Sequence, residues 1–194
     1  MDALAAAPSS VAGTGGSLNV STPSSPGEQP ANPSIETASH SARHPRHSGA
    51  VIVATDGRID LYLLISDLGS QYGPLISVDM FREFVAPYLR EMVDCIHNLG
   101  AKVLYHSCGM IRPLIPALIE SGIDVLDPIQ PVGPEMSPEQ LKAEFGDQLC
   151  FHGGIDMQHL LPHGSAMEIR QEVRRYCDVL GRHGGYILGP SQRF

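Results

Sequence analysis

The sequence predicts an α/β fold in which parallel strands alternate with helices, preceded by an unpacked tail. Three observations predict it. From residue 60 onward, short and nearly continuous apolar runs (LYLLI, KVLYH, DVLDPI, LCFH, YILG) alternate with segments of three- and four-residue apolar spacing. That is the rhythm of βα units whose strands are covered on both faces. The first 49 residues are instead built from Ala, Ser, Gly, Pro, Thr and Asn, and contain no Phe, Tyr or Trp. Finally, side chains capable of chemistry gather where each apolar run ends: Asp67, then His106 and Cys108, then Asp127 and Gln130, then His152 and Asp156, then Ser191 and Gln192. In a parallel barrel or an open α/β sheet the site lies at that carboxyl end of the strands.

Each element follows in order. Residues 1–49 cannot bury enough apolar surface to offset ordering their backbone, so they read as disordered. Their last part, HSARHPRH, brings His40, His44 and His47 together, and composition favours a solvated tail over a metal site. AVIVA and LYLLI flank an Asp-Gly turn signal, giving an irregular hairpin or two short strands. A helix is predicted over 78–98 from Phe81, Phe84, Val85, Leu89, Met92, Val93 and Ile96, with Ser77 as N-cap, Gly100 as terminator and a kink at Pro87. Strand 101–106 follows, then a helix over 111–121 stopped by Gly122. IDVLDPI is the next strand. SPEQLKAEFG is a capped helix with Ser137 as N-cap, Pro138 at its first position and Gly146 at its end. Strand QLCFHG precedes a second capping box, Ser165 with Glu168, which opens a helix to about Leu180. The strand in GYILG closes the pattern.

With 194 residues the chain has room for one domain, 50–194, and a tail. A formal charge of −8 and the lack of any basic run exclude a nucleic-acid partner, since phosphate binding needs clustered Lys and Arg. No apolar stretch approaches the roughly 18 residues of a membrane span, and the amino terminus lacks the layout of a secretory signal. A soluble, cytoplasmic protein is expected. The four cysteines are widely separated, so free thiols in a reducing compartment are expected. Cys150 in its strand and Cys95 and Cys177 in their helices read as packing residues, and Arg174 and Arg175 as a solvated face.

The stretch VLYHSCGMI stands apart. His106 and Cys108 are two residues apart at a strand end, so both project from the same face. Imidazole and thiolate are ligands that zinc prefers, and the pair forms half of a metal site.

Together, SDLGSQYGPLISVDMFREFVAPYLREMVD, KVLYHSCGMIRPLIPALIESGIDVLDPIQ, FHGGIDMQHLLPHG and GGYILGPSQ resemble the carboxyl-terminal part of the uroporphyrinogen decarboxylase superfamily over about residues 60–194. The nearer branch is that of the zinc-dependent methyltransferases that work with corrinoid proteins or thiol acceptors. The resemblance implies a partial TIM (β/α)8 barrel, roughly its carboxyl-terminal half, because a whole barrel takes about 250 residues. It implies zinc on His106 and Cys108, and a corrinoid as methyl carrier. Asp67 and Asp156 are then the catalytic candidates, and Gln130, His152 and Gln192 the substrate-binding ones. The expected partner is a small-molecule substrate or a corrinoid protein.

Two places depart from the family pattern. Where relatives carry the third zinc ligand this chain reads GPSQ, and Gln192 is a poor ligand, which leaves His152, a carboxylate or water as substitute. Ser66-Asp67 stands where relatives have paired aspartates. The family's amino-terminal half, with its arginine-rich motif and a catalytic aspartate, has no counterpart in the sequence. Two other readings are therefore carried: a porphyrinogen decarboxylase of porphyrin biosynthesis, and a catalytically incomplete half-barrel that self-associates or assembles with a partner supplying the missing half.

Overall fold

Five apolar runs become five strands: β1 (Leu61–Ile65), β2 (Lys102–His106), β3 (Val125–Ile129), β4 (Cys150–Ile155) and β5 (Tyr186–Pro190). The computed structural model describes residues 58–192, so the tail with its three histidines and the expected AVIVA strand lie outside the described residues. All four strand pairings are parallel and the sheet order is β1-β2-β3-β4-β5. Strictly sequential order is that of a barrel segment, because a doubly wound sheet reverses its order at a switch point.

Helix α1 has three parts: an α turn at Val78–Met80, a π-helical stretch at Phe81–Val85 and regular α-helix over Ala86–Asn98. The Ser77 hydroxyl accepts from the Met80 N–H at 3.1 Å. The expected kink at Pro87 takes the form of the π stretch just before it. Pro87 has no N–H to give the Glu83 carbonyl and its ring crowds that group, so the preceding turn widens. Helix α2 opens as a 3₁₀ turn at Arg112–Leu114 and continues over Ile115–Glu120. Helix α3 (Pro138–Phe145) begins at Ser137, whose hydroxyl accepts from the Gln140 N–H. A short helix α4 (Leu160–His163) precedes α5 (Ala166–Leu180), which carries the complete Ser165–Glu168 capping box.

The centre of the sheet is its driest part. Every residue of β3 is buried, whereas β1 and β5 are exposed at several positions. Val103, Tyr105, Leu126 and Phe151 enter the core with Leu89, Leu118, Leu141 and Tyr176 from the helices. On the other face Leu63, Leu104, Asp127, His152 and Pro190, one from each strand, line a cavity of about 220 Å³. The sheet therefore curls around that cavity, with His106 and Gln192 also in its wall.

At the opposite, amino-terminal end of the strands Asp124 ties three elements together. Its Oδ2 accepts from the Val103 N–H at 2.8 Å and meets His97 Nε2 at 2.6 Å, while Oδ1 meets Lys102 Nζ at 2.9 Å. Partial burial pushes the carboxyl up, but the Val103 N–H, His97 and Lys102 outweigh it and hold it below the ordinary value. A lowered carboxyl contributes stability that is present above the unfolded value, about 3.9, and is lost as pH falls through the folded one. Asp124→Asn is expected to lower the unfolding free energy by roughly 2 kcal/mol near neutrality. It should also flatten the acid limb of stability against pH, as read by urea unfolding between about pH 3 and 7.

Candidate metal centre

His106 ends β2 directly opposite Asp127 of β3. Its Nδ1 lies 2.6 Å from Asp127 Oδ2, and His152 Nδ1 from β4 hydrogen-bonds the other oxygen, Oδ1. A carboxylate only accepts, so both rings donate Nδ1–H, and in the neutral form each presents Nε2 as its acceptor. His106 Nε2 then sits 3.4 Å from Cys108 Sγ and 3.7 Å from Asp67 Oδ1.

The loops after β1 and β2 are bound together around this point. The Cys108 N–H donates to Asp67 Oδ1 at 3.1 Å, and the buried Ser107 hydroxyl accepts from the Leu68 N–H at 3.0 Å. The Gly109 N–H donates to Gln130 Oε1 at 2.5 Å. Sequence-distant backbone is thus pinned so that one sulfur, one ring nitrogen and one carboxylate oxygen lie within 4.8 Å of one another. Zinc bonds of about 2.3 Å to sulfur and 2.0–2.1 Å to nitrogen and oxygen, at tetrahedral angles, separate S and N by about 3.6 Å and N and O by about 3.3 Å. The donor set fits such an ion with little movement, and the bond from Asp127 to the far side of His106 is the usual support for a ligating imidazole.

Burial, then the negative charges of Asp67 and Asp127 and the side-chain hydrogen bond with Asp67, push the Cys108 thiol up. Only the thiolate attacks electrophiles or binds metal. Metal-free Cys108 is therefore expected to react with iodoacetamide at neutral pH several-fold more slowly than the exposed Cys177, and Asp67→Asn to speed it, as followed by peptide mass spectrometry.

The expected site residues divide into groups. Asp67, His106 and Cys108 come together. His152 and Gln192 are in the wall of the adjoining cavity but outside that trio; the third donor beside the pair is the carboxylate of Asp67. Asp156 and Gln130 line a second recess with Gln71, Gln158, His159 and Ser191. There Asp156 Oδ1 accepts from the Gln158 and His159 N–H groups at 2.7 and 3.2 Å, and Oδ2 is 3.2 Å from His159 Nδ1. Burial raises its carboxyl, but these bonds outweigh it and leave it lowered. Gln130 is buried and braces Gly109. Sequence reasoning gave Asp127 and Ser107 no role. The available signal was position: Asp127 is the one charged residue inside an apolar strand, and it stands opposite His106 on the neighbouring one.

A model of the uroporphyrinogen decarboxylase (URO-D) family matches residues 62–192. The chain belongs to that family. Its five parallel strands are accordingly part of a TIM barrel. Among solved structures this URO-D chain is similar to a methyltransferase from Methanosarcina mazei, at 20% sequence identity and a TM-score of 0.55. The match covers 76% of this chain and 40% of that one, so the chain spans well under half the length of that structure, and the two share a fold. No curated protein matches the chain. Among the described residues of this URO-D chain, no helix is long and apolar enough to cross a membrane.

Proposed function

We propose that this URO-D chain serves zinc-dependent methyl transfer from a corrinoid to a thiol. The observation that carries the reading is the trio of Asp67 Oδ1, His106 Nε2 and Cys108 Sγ, held within 4.8 Å of one another and backed by Asp127. Zinc at these donors supplies a Lewis acid that keeps a thiol ionised at neutral pH. The protein's own part is to aim His106 through Asp127, to hold Cys108 through Asp67 and the Ser107 loop, and to wall the cavity. Leu61, Leu63, Leu104 and Pro190 make that wall largely apolar, which suits a methyl group. His152 and Gln192 are the substrate-binding candidates in the same wall, and Asp156 with Gln130 serve the polar recess beside it.

A polycarboxylate porphyrinogen needs cations around it. The described wall of the cavity holds Asp127 and no Lys or Arg, which favours methyl transfer over decarboxylation. The partners this reading requires are a small thiol and a corrinoid-bearing protein. Among the described residues β1 and β5 are the outermost strands, and their outer edges are the places where a second copy, or the remaining strands of a full barrel, would pair.

The test is to incubate the zinc-loaded full chain with methylcobalamin and 2-mercaptoethanol. The Co–C bond breaks, the S–CH₃ bond forms, the thiol proton passes to solvent, and cob(I)alamin leaves with the bonding electron pair. Zinc-dependent appearance of the thioether and of the cob(I)alamin absorption is the expected result. Stoichiometric zinc without transfer would overturn the proposal.

A further inference from the structure

Asp127 orients two histidines, and the metal trio uses only one. The second, His152, presents its ring to the cavity that adjoins the trio. Its Nδ1–H is committed to Asp127 Oδ1, so the nitrogen left for a ligand is Nε2, and it is an acceptor. An independent feature leaves that end of the ring free. Gly189 of β5 pairs with Gly154 of β4, beside His152. A Cβ at Gly189 would stand 3.0 Å from His152 Nε2 and 3.3 Å from Cε1. That glycine does not occupy the left-handed region of the backbone, so the space beside the ring is the local reason for having no side chain there.

We propose that His152 is a ligand-binding residue of the site outside the metal donor set: its Nε2, fixed as an acceptor by Asp127, takes the S–H proton of the acceptor thiol as that thiol ionises, and then holds the thiolate by donating the N–H so formed. The inference rests on the methyl-transfer reading for the identity of the ligand. The tautomer and the open ring edge stand without it. Asp127 is the positioning residue for both rings. It couples them, because an asparagine in its place offers one acceptor oxygen and one N–H donor. One ring must then turn over to the Nε2–H tautomer and present a donor where it presented an acceptor.

The experiment has two arms on the full chain. In the first, long-range ¹H–¹⁵N correlation spectra of the metal-free protein at alkaline pH report which ring nitrogen carries the proton. His106 and His152 are expected as Nδ1–H tautomers, and Asp127→Asn is expected to convert one of them to Nε2–H. In the second, 2-mercaptoethanol is titrated into the cobalt(II)-loaded chain and the thiolate-to-cobalt band is followed. His152→Gln should keep cobalt affinity within about threefold of the parent and weaken thiol binding roughly tenfold, the loss of one hydrogen bond. Gly189→Ala, which crowds the ring edge without touching the metal donors, should weaken thiol binding several-fold and leave cobalt affinity alone. An Nε2–H tautomer at His152 in the parent overturns the proposal, as does parental thiol affinity in His152→Gln. If the loaded parent binds no thiol, the methyl-transfer reading fails, and with it the thiol as ligand of His152.

Discussion

Cys108→Ser is expected to lower zinc affinity by about two orders of magnitude or more, in a competition titration against a chromogenic chelator. Sulfur is the softest of the three donors and the one whose ionisation the metal drives; a serine hydroxyl stays protonated near neutrality and is a poor ligand. What remains is His106 Nε2 and Asp67 Oδ1, 3.7 Å apart. Asp67→Asn retains an oxygen but loses its charge, and the expected loss is nearer tenfold. Gln192→Cys adds a thiol in the wall of the adjoining cavity and should tighten binding by supplying a further donor. The substituted side chains line an accessible site and not the core, so far-UV circular dichroism should be unchanged across the series. Parental affinity in Cys108→Ser would make the pair structural, and the methyl-transfer reading would go with it.

Gly154→Ala is expected to destabilise the domain by about 3 kcal/mol. Gly154 sits at φ +100 within β4, where an L side chain costs roughly 1–2 kcal/mol. The added Cβ would also overlap Cε1 of the Tyr176 ring, with Cδ1 at 2.7 Å and Ile129 Cδ1 at 3.1 Å. Tyr176 is buried in the face of α5 that packs on the sheet, so its ring cannot swing into solvent and the overlap adds a packing cost of roughly 1–3 kcal/mol. For a domain of this size the thermal midpoint should fall by about 10 °C. An unchanged midpoint by scanning calorimetry would show that β4 and α5 are not packed as described.

Much of the fold was legible because it is written in local rules. LYLLI, KVLYH, VLDPI, CFHGGI and YILGP are runs of strand-forming residues between glycines and caps, and Ser77, Ser137 and Ser165 cap the helices that follow through their own hydroxyls. Pro87 announced an irregular helix, but its form, a π stretch over Phe81–Val85, depends on how the widened turn fits the sheet beneath it. Sequential strand order was not legible from the alternation, which a barrel and a doubly wound sheet share.

The candidate site was half legible, for a reason of distance along the chain. His106 and Cys108 are neighbours in sequence, and the period of a strand alone puts them on one face. Asp67 lies 41 residues before Cys108, and the hydrogen bond from the Cys108 N–H that brings them together exists only once β1 and β2 pair in register. Asp127, 21 residues beyond His106, had an apolar strand around it and no motif. Its two oxygens acquire a purpose only when parallel strands set His106, Asp127 and His152 side by side. The sequence by itself determined which residues form strands and helices and which strand end carries the soft ligands, because propensity, capping and periodicity act within a few residues. Tertiary structure alone decided that a carboxylate completes the trio and that one aspartate aims two imidazoles, because strand register, and not chain proximity, sets which side chains meet.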